Sequence, residues 1–450
     1  MSNPFDGKGR AVPSGRLSRL GSFGRLAGGV AAGMIAEGTQ RLASGQRPRV
    51  SDMLLTPRNA ARVADQLAHL RGAAMKLGQM ISMDAGDMLP AELSDILSRL
   101  RNRAHHMPPA QLQRVLAEHW GRDWRTRFAR FDASPIAAAS IGQVHRAWTH
   151  DGRELAIKVQ YPGVAASIDA DVDNVATLLR ISGLLPRELD VAPLLAEAKR
   201  QLHEEADYVR EAAQMARFAT LLAGEPGFVV PSLAADFSTD RVLAMSFVAG
   251  APIETLAEAP QETRDTVMRA LIGLVLRELF EFGLMQTDPN FANYRYQPDT
   301  GRLVLLDFGA TRDVPAVTAD AYRQLLAAGL AGDADAVRQA AVAAGFLGEA
   351  AVARHRPLVD RMIGVILSEL NRPGAFDFAD RAFVSVLRDH GAEMAADRAT
   401  WHIPPIDTLF VQRKISGTAL LAARLKARVE ARAMIAPYVV GGNVEEAAAL

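Results

Sequence analysis

The sequence contains no cysteine, which excludes disulfide bonds, thiolate metal sites and cysteine nucleophiles. It also lacks net charge, because 51 lysine and arginine residues balance 51 aspartate and glutamate residues. Since nucleic-acid-binding proteins carry a basic excess, we expect no nucleic-acid partner. The longest apolar run near the start, residues 26–36, is shorter than the about 20 residues that span a bilayer. We therefore predict no transmembrane helix.

The rest of the composition is that of a globular protein, with 49% hydrophobic and 23% charged residues in a chain of 450. Residues 1–50 differ, because they hold eight cations against two acids. This basic, glycine-spaced segment favours peripheral contact with a membrane face or a partner helix. The alternatives are a basic tail without a fixed partner and an organellar transit segment. We expect a cytoplasmic location, peripheral on the inner membrane face, or an organellar matrix if residues 1–50 are a transit segment.

Lysine is scarce, with six lysines among the 51 cations. Where arginine is the default cation, a lysine is more often needed for its compact charge. One of them, Lys76, lies in the stretch AAMKLGQM, on a predicted helix that Thr56-Pro57 begins. Lys76 and Gln79 lie opposite the apolar stripe of this helix, where a solvent-facing side would carry more charge. We therefore predict that the helix packs on both sides and that Lys76 and Gln79 point into the protein.

The remaining chain alternates between strand-like and helical patterns without an internal repeat. The predicted elements are a second helix bounded by Pro108-Pro109, strands over 144–148 and 155–160 joined by a turn at 150–152, a helix over 193–222, strands over 228–231 and 241–248, and a hairpin over 293–308 within a helical remainder. We predict an α+β fold that is rich in helices.

The segments QTDPNFANYRY and LVLLDFGA carry the strongest chemical signal. Asp288 precedes Asn293 by five residues, and the Asp307-Phe308-Gly309 sequence follows an apolar strand. In phosphoryl transfer, a loop aspartate positions the nucleophile, while an asparagine and a second aspartate hold the metal ions that bridge the phosphates. We therefore expect Asp288 to be catalytic and Asn293 and Asp307 to bind Mg²⁺, which prefers oxygen ligands.

Lys158, in LAIKV, matches the strand lysine of protein kinases that contacts the α- and β-phosphates. The alternative for Lys158 is a strand-end lysine in solvent. A kinase should also show a glycine-rich loop before this lysine, but residues 137–140 are Ala137, Ala138, Ala139 and Ser140. Because the alanine Cβ restricts the backbone dihedrals and its approach to phosphate, we expect weakened or reshaped phosphoryl transfer.

These motifs together resemble the UbiB family, the aarF-domain atypical kinases linked to ubiquinone biosynthesis. The resemblance covers roughly residues 20–440. The matching motifs are K-x-G-Q at Lys76, Gly78 and Gln79, the alanine loop at residues 137–140, E-x-D at Glu205 and Asp207, and the residues Asp288, Asn293 and Asp307.

The resemblance implies a protein-kinase-like, two-lobed fold that binds ATP or ADP with Mg²⁺. It also implies that the K-x-G-Q extension lies over the active cleft, where Lys76 and Gln79 restrict entry. The hinge-like residues Met245, Ser246, Phe247 and Val248 would line the adenine pocket. Three departures put local geometry in question: Gln286 in place of a histidine, Phe291-Ala292 in place of Pro-Gly, and Ser246 in place of a glutamate.

The predicted helix over 193–222 supplies carboxylates for the lysines. Continued through the whole segment, its apolar stripe places Glu205 at the edge of the stripe and Asp207 with Glu211 on the opposite side. Because a carboxylate beside apolar side chains needs a partner, we expect Glu205 to pair with Lys158. Glu211 would then pair with Lys76 and Gln79. The two assignments could be exchanged, and Glu211 could also lie in solvent.

We predict four regions: a basic segment over 1–50, the helical K-x-G-Q extension over 51–130, a kinase-like N-lobe over 131–250 and a helical C-lobe over 251–450. The leading hypothesis is an ATP-binding, Mg²⁺-dependent atypical kinase or ATPase that supports lipid or ubiquinone biosynthesis, with a lipid or quinone-like molecule as partner. The alternative is a nucleotide-sensing pseudokinase scaffold that binds lipid or protein partners without turnover. The sequence indicates no oligomeric state.

Overall fold

The computed structural model describes residues 107–139, 141–181, 192–397, 400, 402 and 404–439. The chain divides into two compact units. The first includes Pro231–Phe247 and the chain up to Ala216, and the second includes Arg217–Val230 and the chain from Val248 onward. The predictions for residues 1–50, for the helix with Lys76 and Gln79, and for Ser140 lie outside the described residues.

The first unit is built around an antiparallel sheet. Its elements are helix α1 (Pro109–Trp120), strands β1 (Phe128–Phe131), β2 (Ala137–Ala138), β3 (Gly142–Thr149) and β4 (Glu154–Gln160), and helices α2 (Val164–Ile181) and α3 (Ala192–Glu205). Helix α4 (Tyr208–Leu221) begins in this unit, and its residues from Arg217 onward belong to the second unit. Strand β5 (Phe228–Val229) is part of the second unit, and strand β6 (Val242–Ser246) completes the first. The strand order is β1-β3-β4-β6, and β2 pairs with β3 on the side.

The β3–β4 hairpin confirms the predicted turn at residues 150–152. Along β3, His145, Ala147 and Thr149 are buried while the residues between them are partly exposed, which is the alternation expected when one face of a strand is covered. Strand β4 lies between β3 and β6 and is almost entirely buried from Ile157 to Gln160. Lys158 therefore occupies a central strand with both edges hydrogen-bonded.

The second unit is mainly helical. In addition to β5, its elements are β7 (Ala251–Pro252), α5 (Gln261–Arg277), β8 (Leu284–Gln286), β9 (Tyr294–Gln297), β10 (Arg302–Leu305), β11 (Thr311–Asp313), α6 (Ala316–Ala331), α7 (Ala334–Ala343), α8 (Glu349–Leu370), β12 (Phe376–Asp377), α9 (Ala382–Ala396), α10 (Ile406–Leu425), β13 (Arg428–Val429) and α11 (Ala431–Val439). The hairpin predicted over 293–308 is present as β9 and β10, which are antiparallel.

One core cluster of the second unit forms where α5 and the turn after it meet β8, α6 and α10. Helix α5 buries Val267, Leu271, Leu274 and Val275 at steps of three and four residues, the spacing of one helix face. It continues into a π turn, Glu278–Phe282, before β8 begins. In the part of the chain that the structure describes, no helix is long and apolar enough to cross a membrane.

Candidate functional site

In the first unit, Lys158 forms a buried ion pair with Glu211. The Nζ atom of Lys158 donates to both carboxylate oxygens of Glu211, at 2.8 and 2.9 Å. The two side chains are 8% and 2% exposed, so the pair is removed from solvent. A pair of opposite charges at this depth fixes the orientation of the strand lysine, since either charge alone would be costly to bury.

This contact corrects the assignment of Glu205 to Lys158. The helix predicted over 193–222 is interrupted, because α3 ends at Glu205 and α4 begins at Tyr208. The interruption shifts the phase of the second segment, so that Tyr208, Glu211 and Met215 are buried while Val209 is 63% exposed. The single apolar stripe predicted over 193–222 therefore does not continue into α4, and Glu211 lies on the buried face of α4.

Asp207 of the E-x-D motif begins helix α4. Its Oδ1 accepts a hydrogen bond from the backbone N–H of Arg210 at 2.9 Å, which is the contact of an N-cap aspartate. Its carbonyl oxygen accepts the first bond of the helix, from Glu211 N at 3.0 Å. Glu205 is the last residue of α3 and is buried. The predicted contacts of these acids with Lys76 and Gln79 lie outside the described residues.

The alanine loop is the tip of a tight hairpin. Ala137 and Ala138 pair with Val144 and Gln143, and Ala139 N donates to Gly142 O at 2.9 Å. A Cβ at Gly142 would lie 2.5 Å from Val159 O, so only glycine allows this approach of β3 to β4. The loop backbone is thereby held beside the strand that carries Lys158.

The predicted hinge residues lie at the boundary of the first unit. Met245 and Ser246 end β6, and the division between the units falls between Phe247 and Val248. Ser246, which stands where the family pattern has a glutamate, accepts a hydrogen bond from Ser232 N through its Oγ at 2.9 Å. Phe247 N donates to Glu154 O at 2.9 Å. The hinge backbone is therefore anchored on the first-unit side.

In the second unit, Asp288 lies in the loop that follows β8. Strand β8 pairs with β11, and Thr287 continues this contact by donating its hydroxyl to Ala310 O at 2.7 Å. The Oδ1 atom of Asp288 accepts from Asn290 N at 3.3 Å. The side chain of Asp288 is partly exposed. The loop is anchored at its start by the Thr287 bond.

The β9–β10 hairpin brings Asn293 and Asp307 to the same end of two paired strands. Asn293 directly precedes β9 and Asp307 follows β10 by two residues, and Asn293 O accepts from Leu306 N at 3.0 Å. Asn293 Nδ2 also donates to Asp288 O at 3.4 Å. The structure thus places Asp288, Asn293 and Asp307 around one backbone junction of the second unit.

The side-chain chemistry at this junction is compatible with a magnesium ion. Asn293 and Asp307 carry oxygen atoms of the kind that Mg²⁺ prefers, and neither is a soft ligand. Asp307 holds its own loop through Oδ1, which accepts from Gly309 N at 2.9 Å. Among the described residues, no cluster of three histidine, aspartate or glutamate side chains forms a competing metal site.

A buried polar cluster next to the Asp288 loop was missed from the sequence. The Nζ atom of Lys414, on α10, donates to Gln286 Oε1 at 3.1 Å and to Tyr294 Oη at 2.9 Å, and lies 3.4 Å from Glu278 Oε2. Burial raises the pKa of the Glu278 carboxyl above its ordinary value, and the ammonium opposes this effect. Burial alone would lower the pKa of Lys414, but Glu278 and Tyr294 outweigh it and raise the pKa. The amine is therefore held as a cation.

Comparisons with known proteins show the family and the fold of this chain. Residues 99–341 match the family described as the ABC1 atypical kinase-like domain. Atypical kinase COQ8, mitochondrial, of Saccharomyces cerevisiae is 37% identical over 428 residues, covering 94% of this chain and 84% of that protein. Atypical kinase COQ8B, mitochondrial, of Danio rerio is 39% identical over 433 residues, covering 95% and 69%. The structure of the Rv3197–erythromycin complex from Mycobacterium tuberculosis has a TM-score of 0.59 at 26% identity, covering 86% of this chain and 96% of that one.

The sheet unit with its strand lysine and the helical unit with its aspartate loops define a kinase-like protein. Within that class, the chain belongs to the UbiB family of ABC1 atypical kinases. The family and the helix-rich, kinase-like fold predicted from the sequence are therefore confirmed. The relatives named here from yeast and zebrafish are mitochondrial proteins.

Proposed function

We propose that this chain is an ATP-binding, Mg²⁺-dependent atypical kinase or ATPase that supports lipid or ubiquinone biosynthesis. The observation that carries the proposal is the junction of Asp288, Asn293 and Asp307. It is held by a backbone bond from Leu306 N to Asn293 O and by a bond from the Asn293 side chain to Asp288 O. The buried Lys158–Glu211 pair supports it independently, because protein kinases use a strand lysine, oriented by a helix glutamate, at the phosphates.

Each side chain has a defined part in the proposed reaction. The carboxylate of Asp288 accepts the proton of the attacking hydroxyl or orients the attacking water. Asn293 and Asp307 would hold Mg²⁺, which neutralises charge on the phosphates when it is bound. The ammonium of Lys158, kept in place by Glu211, contacts phosphate oxygens of ATP or ADP.

The alanine loop and the hinge complete the proposed nucleotide contacts. Backbone groups of residues 137–140 would approach the phosphates, although alanine side chains leave less room than glycines. The backbone of residues 245–248 would hydrogen-bond the edge of the adenine ring. This contact would need no side chain. We expect weaker nucleotide affinity than in kinases with a glycine-rich loop.

The four-part division of the chain is part of the proposal. The extension over 51–130 would restrict the cleft through Lys76 and Gln79, with Glu205 and Asp207 close to them. The acceptor would then be a small molecule, such as a lipid or a quinone-like compound, instead of a polypeptide. Residues 1–50 would contact a membrane surface, and the mitochondrial location of the relatives favours an organellar or inner-membrane-face setting.

The test is ATP turnover by the purified full chain with Mg²⁺ and anionic liposomes. Asp288→Asn removes the carboxylate charge but keeps the shape of the side chain. We expect it to lower phosphate release by about a hundredfold or more while nucleotide affinity changes little. If the wild-type chain binds nucleotide but hydrolyses no ATP, and Asp288→Asn leaves cellular function intact, the kinase or ATPase proposal is wrong and the nucleotide-sensing scaffold is the better account.

A further inference from the structure

Lys414 contacts the two residues that flank the loop carrying Asp288. Gln286, two residues before Asp288, accepts from Lys414 Nζ at 3.1 Å. Tyr294, the residue after Asn293, accepts from the same nitrogen at 2.9 Å. One ammonium group therefore connects the start and the end of residues 287–293, here called the catalytic loop.

The charge of Lys414 is balanced by Glu278, in the π turn at the end of α5. Glu278 begins that turn, and its Oε2 lies 3.4 Å from Lys414 Nζ while its Oε1 accepts from Gln286 N at 3.4 Å. The side chains of Lys414 and Glu278 are 2% and 1% exposed. Burying both charges is costly unless each is paired, and here each charge lies 3.4 Å from the other. Single π turns within helices are often found at functional sites.

Helix α10 also makes a nonpolar contact with the catalytic loop. Gly417 is one turn after Lys414, and a Cβ built on it would lie 2.0 Å from Pro289 Cβ. Pro289 directly follows Asp288. The absence of a side chain at position 417 therefore sets how closely the helix approaches the loop. This contact is independent of the polar cluster, since it depends on shape alone.

We propose that α10 positions the catalytic loop, with Lys414 as the positioning residue and Gly417 as the point of close approach. The inference rests on the proposed function, in which Asp288 must hold its carboxylate at a fixed place. Lys414 acts through Gln286 and Tyr294. It has no contact with the reacting groups assigned above within the described residues. A displacement of about 1 Å at the loop is enough to slow phosphoryl transfer strongly.

Three variants separate positioning from a merely structural role. Lys414→Met removes the ammonium but leaves Glu278 buried without its partner, so it lowers both the unfolding temperature and kcat. Lys414→Met with Glu278→Gln removes both charges, so the unfolding temperature recovers. We expect kcat of this double variant to stay about tenfold or more below wild type, with KM within about threefold. Lys426→Met, at an exposed lysine that ends the same helix, is the control and should match wild type.

A glycine pair tests the close approach. Gly417→Ala introduces the Cβ that meets Pro289, whereas Gly364→Ala, on α8, adds a Cβ in open space. Both changes raise helix propensity equally. We expect a fall in kcat of about tenfold for Gly417→Ala and none for Gly364→Ala. If kcat recovers together with stability in the Lys414 double variant, or if the two glycine variants behave alike, the positioning role is contradicted.

Hydrogen exchange gives a result that does not depend on turnover. The amides of Ala292, Asn293 and Leu306 are hydrogen-bonded in or beside the catalytic loop. We expect them to exchange about tenfold faster in the Lys414→Met, Glu278→Gln variant than in Lys426→Met. Unchanged exchange would refute the inference about α10. If wild type hydrolyses no ATP, the proposed function fails, and the exchange rates still decide whether Lys414 orders the loop.

Discussion

At the scale of residues, burial separates the lysines by role. Lys158 and Lys414 are both less than 10% exposed and each lies beside a buried glutamate. Lys199 is paired at the surface with Asp173, and the two side chains are 29% and 61% exposed. The scarcity of lysine in the sequence indicated that single lysines have specific tasks. It could not show that Lys414 is one of them, because its partners, in the stretch 278–294, lie more than a hundred residues earlier in the chain.

The Lys158–Glu211 pair gives a stability prediction. Removing one charge leaves the other buried without this ion pair, so we expect Lys158→Met and Glu211→Gln each to lower the free energy of unfolding by about 3–5 kcal/mol. The double variant should lose less than the sum. Lys199→Met is the matched control and should cost about 1 kcal/mol or less, because its ion pair is exposed. Urea unfolding measures all four, and a cost for Lys158→Met as small as that for Lys199→Met would contradict the account.

At the scale of elements, the break between α3 and α4 decides which glutamate meets the strand lysine. A 3.6-residue period continued through Asp207 put Glu211 on the wrong face. The sequence held a signal for the break, because aspartate is a preferred N-cap residue. The β3–β4 and β9–β10 hairpins were predictable, since in each a glycine turn of a few residues separates two strand-like segments.

Asp207 should therefore be replaceable only by another capping residue. Asp207→Ala leaves the Arg210 amide without its acceptor, and we expect it to lower the free energy of unfolding by about 1 kcal/mol. Asp207→Asn should retain the cap and cost much less. Chemical denaturation of both variants is the measurement. Equal losses in the two variants would mean that Asp207 stabilises the protein through its charge and not as a cap.

At the scale of the whole molecule, the kinase-like fold was predictable because its motifs are local in sequence. Lys158 lies on one strand, and Asp288, Asn293 and Asp307 lie on two loops within twenty residues. The contacts of α10 with the catalytic loop were not predictable in the same way. Lys414 and Gly417 are more than a hundred residues further along the chain, and only the packing of α10 brings them to the catalytic loop.

The most direct test of the central claim is the Mg²⁺ dependence of phosphate release from ATP by the full chain. Because Asp307 is proposed to hold the ion, wild type and Asp307→Asn are compared over the same magnesium concentrations. We predict that the wild-type rate rises with Mg²⁺ and saturates, while Asp307→Asn is slower by about a hundredfold or more at every concentration. A wild-type rate that is unchanged by chelating Mg²⁺, or equal rates for the two proteins, would contradict the account.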